Sequence, residues 1–207
     1  MKQNLTELIF ILDKSGSMGG LEKDTIGGFN SLIEKQKSVA GDANITTVLF
    51  DNSYSVIHKR VPIKQLQPLT ENEYFVGGST ALLDAMGITI EDISDEIADL
   101  VEDEKPEKVV VVTVTDGEEN SSRAFNLSQI RKIVKEKTKK DKWEFLFLGA
   151  NINAIHCASN LGIGAKMASN YSASTEGVKS NYASISKALQ SYRENGIIDK
   201  KWKNGLK

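Results

Sequence analysis

The chain has 207 residues, 40% of them hydrophobic and 26% charged, with a formal net charge of −2. That is room for one large α/β domain with its own core, and it offers no basic excess for nucleic acid or an anionic membrane. Cys157 is the one cysteine, so no internal disulfide forms; with no signal-peptide pattern and no apolar run of transmembrane length, the expectation is a cytoplasmic protein.

Thr6 to Leu12 reads as the first strand, and the unbroken apolar run Ile9-Phe10-Ile11-Leu12 predicts burial on both faces. It runs into Asp13-x-Ser15-x-Ser17, a carboxylate and two hydroxyls at spacing two, followed by Gly19-Gly20. A helix is predicted from about Leu21 to Lys37, with Ile26, Phe29, Leu32 and Ile33 on one face. Gly27-Gly28 inside it costs helix propensity and suits close packing on a sheet. Asn44 to Phe50 is rich in β-branched residues and reads as a second strand. After the turn residues Asp51-Asn52-Ser53, Tyr54 to Ile63 reads as a third strand, joined so tightly that the pair must be antiparallel. Residues 64–76 read as irregular.

Gly77-Gly78-Ser79-Thr80 leads into a helix predicted over Ala81 to Val101. Its apolar positions Leu83, Met86, Ile90, Ile93, Ile97 and Leu100 alternate spacings of three and four. The acidic opposite side (Glu91, Asp92, Asp95, Glu96, Asp99, then Glu102, Asp103 and Glu104) reads as a solvated face. Lys108 to Thr115 is a buried strand ending in Asp116-Gly117-Glu118-Glu119-Asn120, where both glutamates read as solvated. A helix from Asn126 to Lys139 should turn Leu127, Ile130, Ile133 and Val134 inward. Its basic side (Arg131, Lys132, Lys135, Lys137, Lys139, Lys140) lacks the interleaved aromatics of a nucleic-acid surface. Trp143 to Leu148 is a further strand, Ala154 to Asn160 a short helix, and Ala165 to Ser169 an edge strand. Thr175 to Arg193 gives a last amphipathic helix through Val178, Tyr182, Ile185, Leu189 and Tyr192. The tail, with Trp202 and four lysines from Asp199 to Lys207, is expected to be frayed or surface-docked.

Strands alternating with helices predict a mainly parallel sheet covered on both faces, with one antiparallel strand from the hairpin. No repeat, low-complexity segment or linker divides the chain, so residues 1–207 read as one domain, with its core over about 6–193 and a tail over 194–207.

Three loops share one property: each flanks a predicted buried strand and carries hard oxygen donors, namely Asp13, Ser15 and Ser17, then Thr80, then Asp116. In open α/β sheets that edge is where ligands bind. Carboxylates and hydroxyls without His or Cys suit a hard cation, Mg²⁺ or Mn²⁺, and two carboxylates are few for a Ca²⁺ cage. Such an ion keeps an open position for an outside oxygen. Each residue also has a plainer reading: Asp13 and the serines as turn caps, Thr80 as the helix N-cap, Asp116 as a turn former, Asp51 as a turn residue. Lys14 and Met18 read as shaping the rim, while His58, His156 and Cys157 lack any zinc or triad pattern.

The three segments Asp13-x-Ser15-x-Ser17, Thr80 in Gly-Gly-Ser-Thr-Ala-Leu and Asp116 in Thr-Asp-Gly-Glu-Glu-Asn, in this order, resemble the von Willebrand factor type A domain. The resemblance extends from about Thr6 to Arg193. It implies a Rossmann-like three-layer α/β/α fold, a six-stranded sheet of order 3-2-1-4-5-6, and a metal-ion-dependent adhesion site. In that site Ser15, Ser17 and Thr80 would ligate the ion through hydroxyls, and Asp13 and Asp116 would act directly or through water. A Glu or Asp carboxylate of a protein partner would complete the shell. The resemblance is to intracellular bacterial or phage members, some of which work with AAA+ ATPases. Against this non-enzymatic reading stand two others: a Mg²⁺-dependent hydrolase or phosphotransferase on a Rossmann-like fold, and a scaffold whose metal is structural. The chain has neither a P-loop nor a Gly-x-Gly-x-x-Gly fingerprint.

Overall fold

The apolar run of the first strand forms β1 (Lys2–Asp13), and parallel neighbours flank it on both sides. One is β2 (Asp42–Phe50), in register Leu8 with Ile45 and Asp13 with Phe50. The other is β4 (Pro106–Thr115), in register Ile9 with Val111 and Leu12 with Val114. This computed structural model describes residues 1–206. β3 (Tyr54–Pro62) pairs antiparallel with β2, while β5 (Glu144–Gly149) and β6 (Ala168–Asn170) extend the sheet in parallel beyond β4. The strand order is 3-2-1-4-5-6. The fold is therefore the Rossmann-like α/β arrangement expected, with its antiparallel strand at the edge.

Alternation along β1 divides the core into two layers. Leu8, Phe10 and Leu12 face α1 (Glu22–Lys37) and α5 (Thr175–Asn195), where Phe10 meets the edge of Phe29 at 5.2 Å between ring centres. Ile9 and Ile11 face α2 (Leu82–Asp99), α3 (Leu127–Lys140) and α4 (Ala154–Asn160), against Met86, Ile90, Ile130 and Val134. Each such large apolar side chain, fully buried, contributes about 1.5–3 kcal/mol. Among the described residues no helix is long and apolar enough to cross a membrane.

Several expectations need correcting. Gly28 meets α5 rather than the sheet: a Cβ there would lie 2.4 Å from the Tyr182 ring, so the glycine lets α1 and α5 close together. α2 stops at Asp99, and Glu102–Glu104 form a separate 3-10 turn, so the acidic run is not one helix face. Leu127 opens α3 but is 43% exposed rather than turned fully inward. Ala165–Met167 form a 3-10 turn, which shortens the edge strand to three residues. Of the two expectations for the tail, docking holds: Trp202 is buried, its Nε1 donates to the Lys166 carbonyl at 3.0 Å, and Lys203 Nζ donates to the Ala165 and Ala168 carbonyls. Lys207 lies outside the described residues.

Candidate metal centre

Because β1 and β4 are parallel neighbours, their C-terminal ends deliver Asp13 and Asp116 to the same edge. Asp13 is held on all sides. Its Oδ1 accepts from the Ser15 backbone N–H at 2.7 Å, its Oδ2 accepts from Thr115 Oγ1 at 2.6 Å, and its carbonyl accepts from the Tyr74 hydroxyl at 2.5 Å. Ser15 and Ser17 project their hydroxyls side by side, 3.1 Å apart, and Ser17 Oγ donates to Asp116 Oδ1 at 2.5 Å. Asp13, Ser15, Thr80 and Asp116 are all buried, while Ser17 is open to solvent.

Thr80 reaches the cluster through the loop that precedes α2. Its N–H donates to Asn120 Oδ1 at 2.9 Å and its carbonyl accepts from Asn120 N–H at 3.0 Å, a reciprocal clamp onto the loop after β4. A Cβ on Gly117 would sit 3.2 Å from Thr80 Oγ1 and 3.3 Å from Ser17 Oγ, so both hydroxyls flank this glycine. The N-cap of α2 is Ala81 with no side-chain cap, so Thr80 does not have the capping role that its position before the helix allowed. The structure thus gathers all five sequence-predicted residues, Asp13, Ser15, Ser17, Thr80 and Asp116, on one edge.

The loops are fastened to one another as well. Gly16 N–H donates to the Gly78 carbonyl at 3.1 Å and Gly77 N–H to the Lys14 carbonyl at 2.9 Å. Gly78 has φ +72°, and a side chain there would run into Asn52, so only glycine fits. Lys14 does not lie on the rim: it is buried and forms an ion pair with Asp51, beneath the Phe75 ring. Asp51 is therefore more than a turn residue, and this partner together with its hydrogen bonds from Ser53 holds its carboxyl below the usual range although burial opposes them. Glu119 is no solvated side chain either. It accepts from the backbone N–H groups of Leu83, Ser121 and Ser122, and from the Ser122 hydroxyl. Asp84 in turn accepts from Arg123, Ala124 and Phe125, strapping the loop after β4 onto the first turn of α2.

Whether these residues suit a cation is tested by what they leave unpaired. Asp116 Oδ2 is buried with no hydrogen-bond partner. Burial raises the pKa of Asp116, and the nearby charge of Asp13 adds to it; burial likewise raises Asp13 against its hydrogen bonds. Two carboxylates and three hydroxyls, on four buried residues and the solvent-facing Ser17, with one oxygen orphaned, form an all-oxygen donor set for a hard divalent ion. Carboxylates alone would not suffice: among the described residues no group of three or more His, Cys, Asp or Glu is placed to hold a metal. The hydroxyls make up the majority of the set. His58 on β3 and His156 on α4 do not join it.

An open α/β/α sheet whose central strands end in an oxygen-lined cup defines a class of ligand-binding folds. Comparison narrows the class. No family model matches the chain and no curated protein resembles it in sequence. Solved structures do resemble it. Proximal thread matrix protein 1 from the mussel byssus, described with a zinc-occupied MIDAS motif, aligns at TM-score 0.61 and 13% identity over 89% of this chain and 46% of that one. The manganese-loaded TRAP protein of Plasmodium vivax aligns at 0.58 and 18% identity, over 83% of this chain and 70% of that one. A von Willebrand factor type A protein of Catenulispora acidiphila aligns at 0.59 and 10% identity, over 90% and 43%. The chain spans less than half the length of the mussel and Catenulispora chains. The fold is that of a von Willebrand factor type A domain.

Proposed function

We propose that the chain is a non-enzymatic, metal-dependent protein-binding module. Ser15, Ser17 and Thr80 would hold a Mg²⁺ or Mn²⁺ ion through their hydroxyls, with Asp13 and Asp116 acting directly or through water. The ion, when bound, supplies a Lewis-acidic centre with a position open to an outside oxygen, here the Glu or Asp carboxylate of a partner protein. The chain's residues orient and shield that centre. Thr115 and the Ser15 N–H fix the Asp13 carboxylate, and Asn120 fixes Thr80. Lys14, the cation within the motif, is engaged by Asp51. The observation that carries the reading is the orphaned Asp116 Oδ2 beside the clustered hydroxyls of Ser15 and Ser17. The zinc and manganese named for two structural neighbours support a divalent ion.

Calorimetric titration of Mg²⁺ and Mn²⁺ into the wild type and Asp13→Ala tests it. One ion per chain, lost on the substitution, is the expected result. Equal binding by both proteins, or no binding by the wild type, overturns the reading.

A further inference from the structure

Next to the cup lies a cleft of ≈ 290 Å³ between the start of α2, the loop after β4, and α4. Its walls include Leu83, Leu127, Ile152, His156, Cys157 and Gly117. Gly117 is shared: the same residue abuts the Thr80 and Ser17 hydroxyls, so the cleft begins where the donor set ends. The cleft is larger than the roughly 150 Å³ apolar cavity known to take a benzene ring. One of its lining apolar side chains, Leu127, is 43% exposed to water.

Two features bear on what such a cleft would take. First, its walls are set in advance. Glu119 ties the loop to Leu83 N–H, and Asp84 ties Arg123, Ala124 and Phe125 to α2, so little ordering is left to oppose binding. Second, the lining is mainly apolar, through Leu82, Leu83, Leu127, Phe147, Ile152 and Leu161, which matches an apolar group, and Glu118, exposed at the mouth, repels a second acid.

We propose that the cleft is the other half of the recognition site: it receives a large aliphatic or aromatic side chain that the partner protein carries beside its ion-binding Asp or Glu. The inference rests on the metal-dependent reading above. It makes the recognised element a composite of one carboxylate and one apolar side chain, with the ion contributing attraction and the cleft contributing selectivity.

Simple carboxylic acids serve as probes. The ¹⁵N-labelled protein is titrated with acetate, hexanoate and 4-phenylbutyrate by NMR, in Mg²⁺ and again in EDTA. In Mg²⁺ all three acids should shift the Ser17, Thr80 and Gly117 amides. Hexanoate and 4-phenylbutyrate should also shift Leu83, Ile152 and Cys157, and bind about tenfold tighter than acetate, the effect of burying a short apolar tail. Cys157→Phe, which fills the cleft, and Leu127→Gln, which makes its exposed apolar rim polar without adding charge, should each abolish the tail's advantage while leaving acetate binding unchanged. Thermal melts identify a variant that fails to fold, and the exposed position of Leu127 keeps the second variant informative. Mg²⁺-dependent acetate binding without any gain from a tail overturns the cleft inference and leaves the metal reading standing. Tail-dependent binding that is equally tight in EDTA overturns the coupling of cleft to ion. No Mg²⁺-dependent shift with any acid overturns both.

Discussion

Asp116→Asn offers a substitution whose effect should change sign with metal. Without an ion, Asp116 Oδ2 is buried and unpaired, and Asp13 places a second negative charge nearby. An unsatisfied buried polar group costs about 1–3 kcal/mol, and a charged one more. Asparagine keeps the oxygen that accepts from Ser17 and removes the charge, so the metal-free variant should be more stable than the wild type by about 1 kcal/mol. For a chain of this size that raises Tm by about 2–4 °C. With Mg²⁺ at 100 times its Kd the wild type gains about 2.7 kcal/mol by mass action, or about 5–10 °C, and the variant gains almost none. Scanning calorimetry of both proteins in EDTA and in Mg²⁺ should show the order of Tm values reverse. A variant less stable than wild type in EDTA, or one that gains as much from Mg²⁺, would refute the assignment of Asp116 as an ion-directed carboxylate.

Other consequences are measurable by the same melts. Gly27→Ala and Gly28→Ala should act in opposite directions: nothing lies near a Cβ at Gly27, so alanine gains about 0.5–1 kcal/mol of helix propensity. At Gly28 overlap with the buried Tyr182 ring should cost about 1–3 kcal/mol, and equal shifts would sink the packing argument. Arg193→Met removes a buried guanidinium that donates to the carbonyls of Gln36 at 2.6 Å and Gly41 at 3.0 Å. Leaving those acceptors buried should lower stability by about 2–4 kcal/mol, measured by urea unfolding, and a loss under about 0.5 kcal/mol would show that water replaces the arginine. Glu7 is fully buried, with Oε1 unpaired and Arg60 Nε 3.2 Å from Oε2; burial raises its pKa above the ordinary 4.5 despite Arg60. A raised carboxyl stabilises the fold fully below its unfolded value, and that contribution is lost as pH rises through the folded one. The Tm of Glu7→Gln minus that of wild type should therefore be more positive at pH 7 than at pH 4.5, and a difference independent of pH would contradict this.

What could be read from the chain alone follows a physical division. Ile9–Leu12 and Val109–Val112 are unbroken apolar runs, and only central parallel strands bury both faces of such runs, so the two strands carrying Asp13 and Asp116 were legible. The three-and-four spacing of α2 and α5 was legible for the same reason. Thr115 was not, although a signal existed: a hydroxyl at the last position of a valine-rich strand, directly before a candidate ligand. The Lys14–Asp51 pair joins residues 37 apart, and the Glu119 bond to Leu83 N–H joins residues 36 apart. Both depend on how closely two loops approach, which periodicity does not encode. Glu119 looked solvated because an acid among Gly, Asn and Ser usually is. Leu127 lies on the apolar stripe of its helix, yet as the first residue of α3 it is 43% exposed, and periodicity does not say where along the helix its cover stops.

On the reading proposed above, the oxygens that the cup leaves free say where an outside acid would complete the ion's shell. Both oxygens of Asp13 already accept hydrogen bonds, from Ser15 N–H and Thr115 Oγ1, and Asp116 Oδ1 accepts from Ser17. The carboxylate oxygen left free is Asp116 Oδ2. The remaining donors near it are neutral hydroxyls, which supply oxygen without charge. The two carboxylates together match the charge of a divalent ion, but three of their four oxygens are already engaged by hydrogen bonds, so it is the coordination shell rather than the charge that the chain leaves incomplete. On the reading proposed above, neutral serine and threonine hydroxyls in the remaining places leave a coordination position that a partner's carboxylate would take. On the same proposal, the neighbouring cleft would select which carboxylate that is.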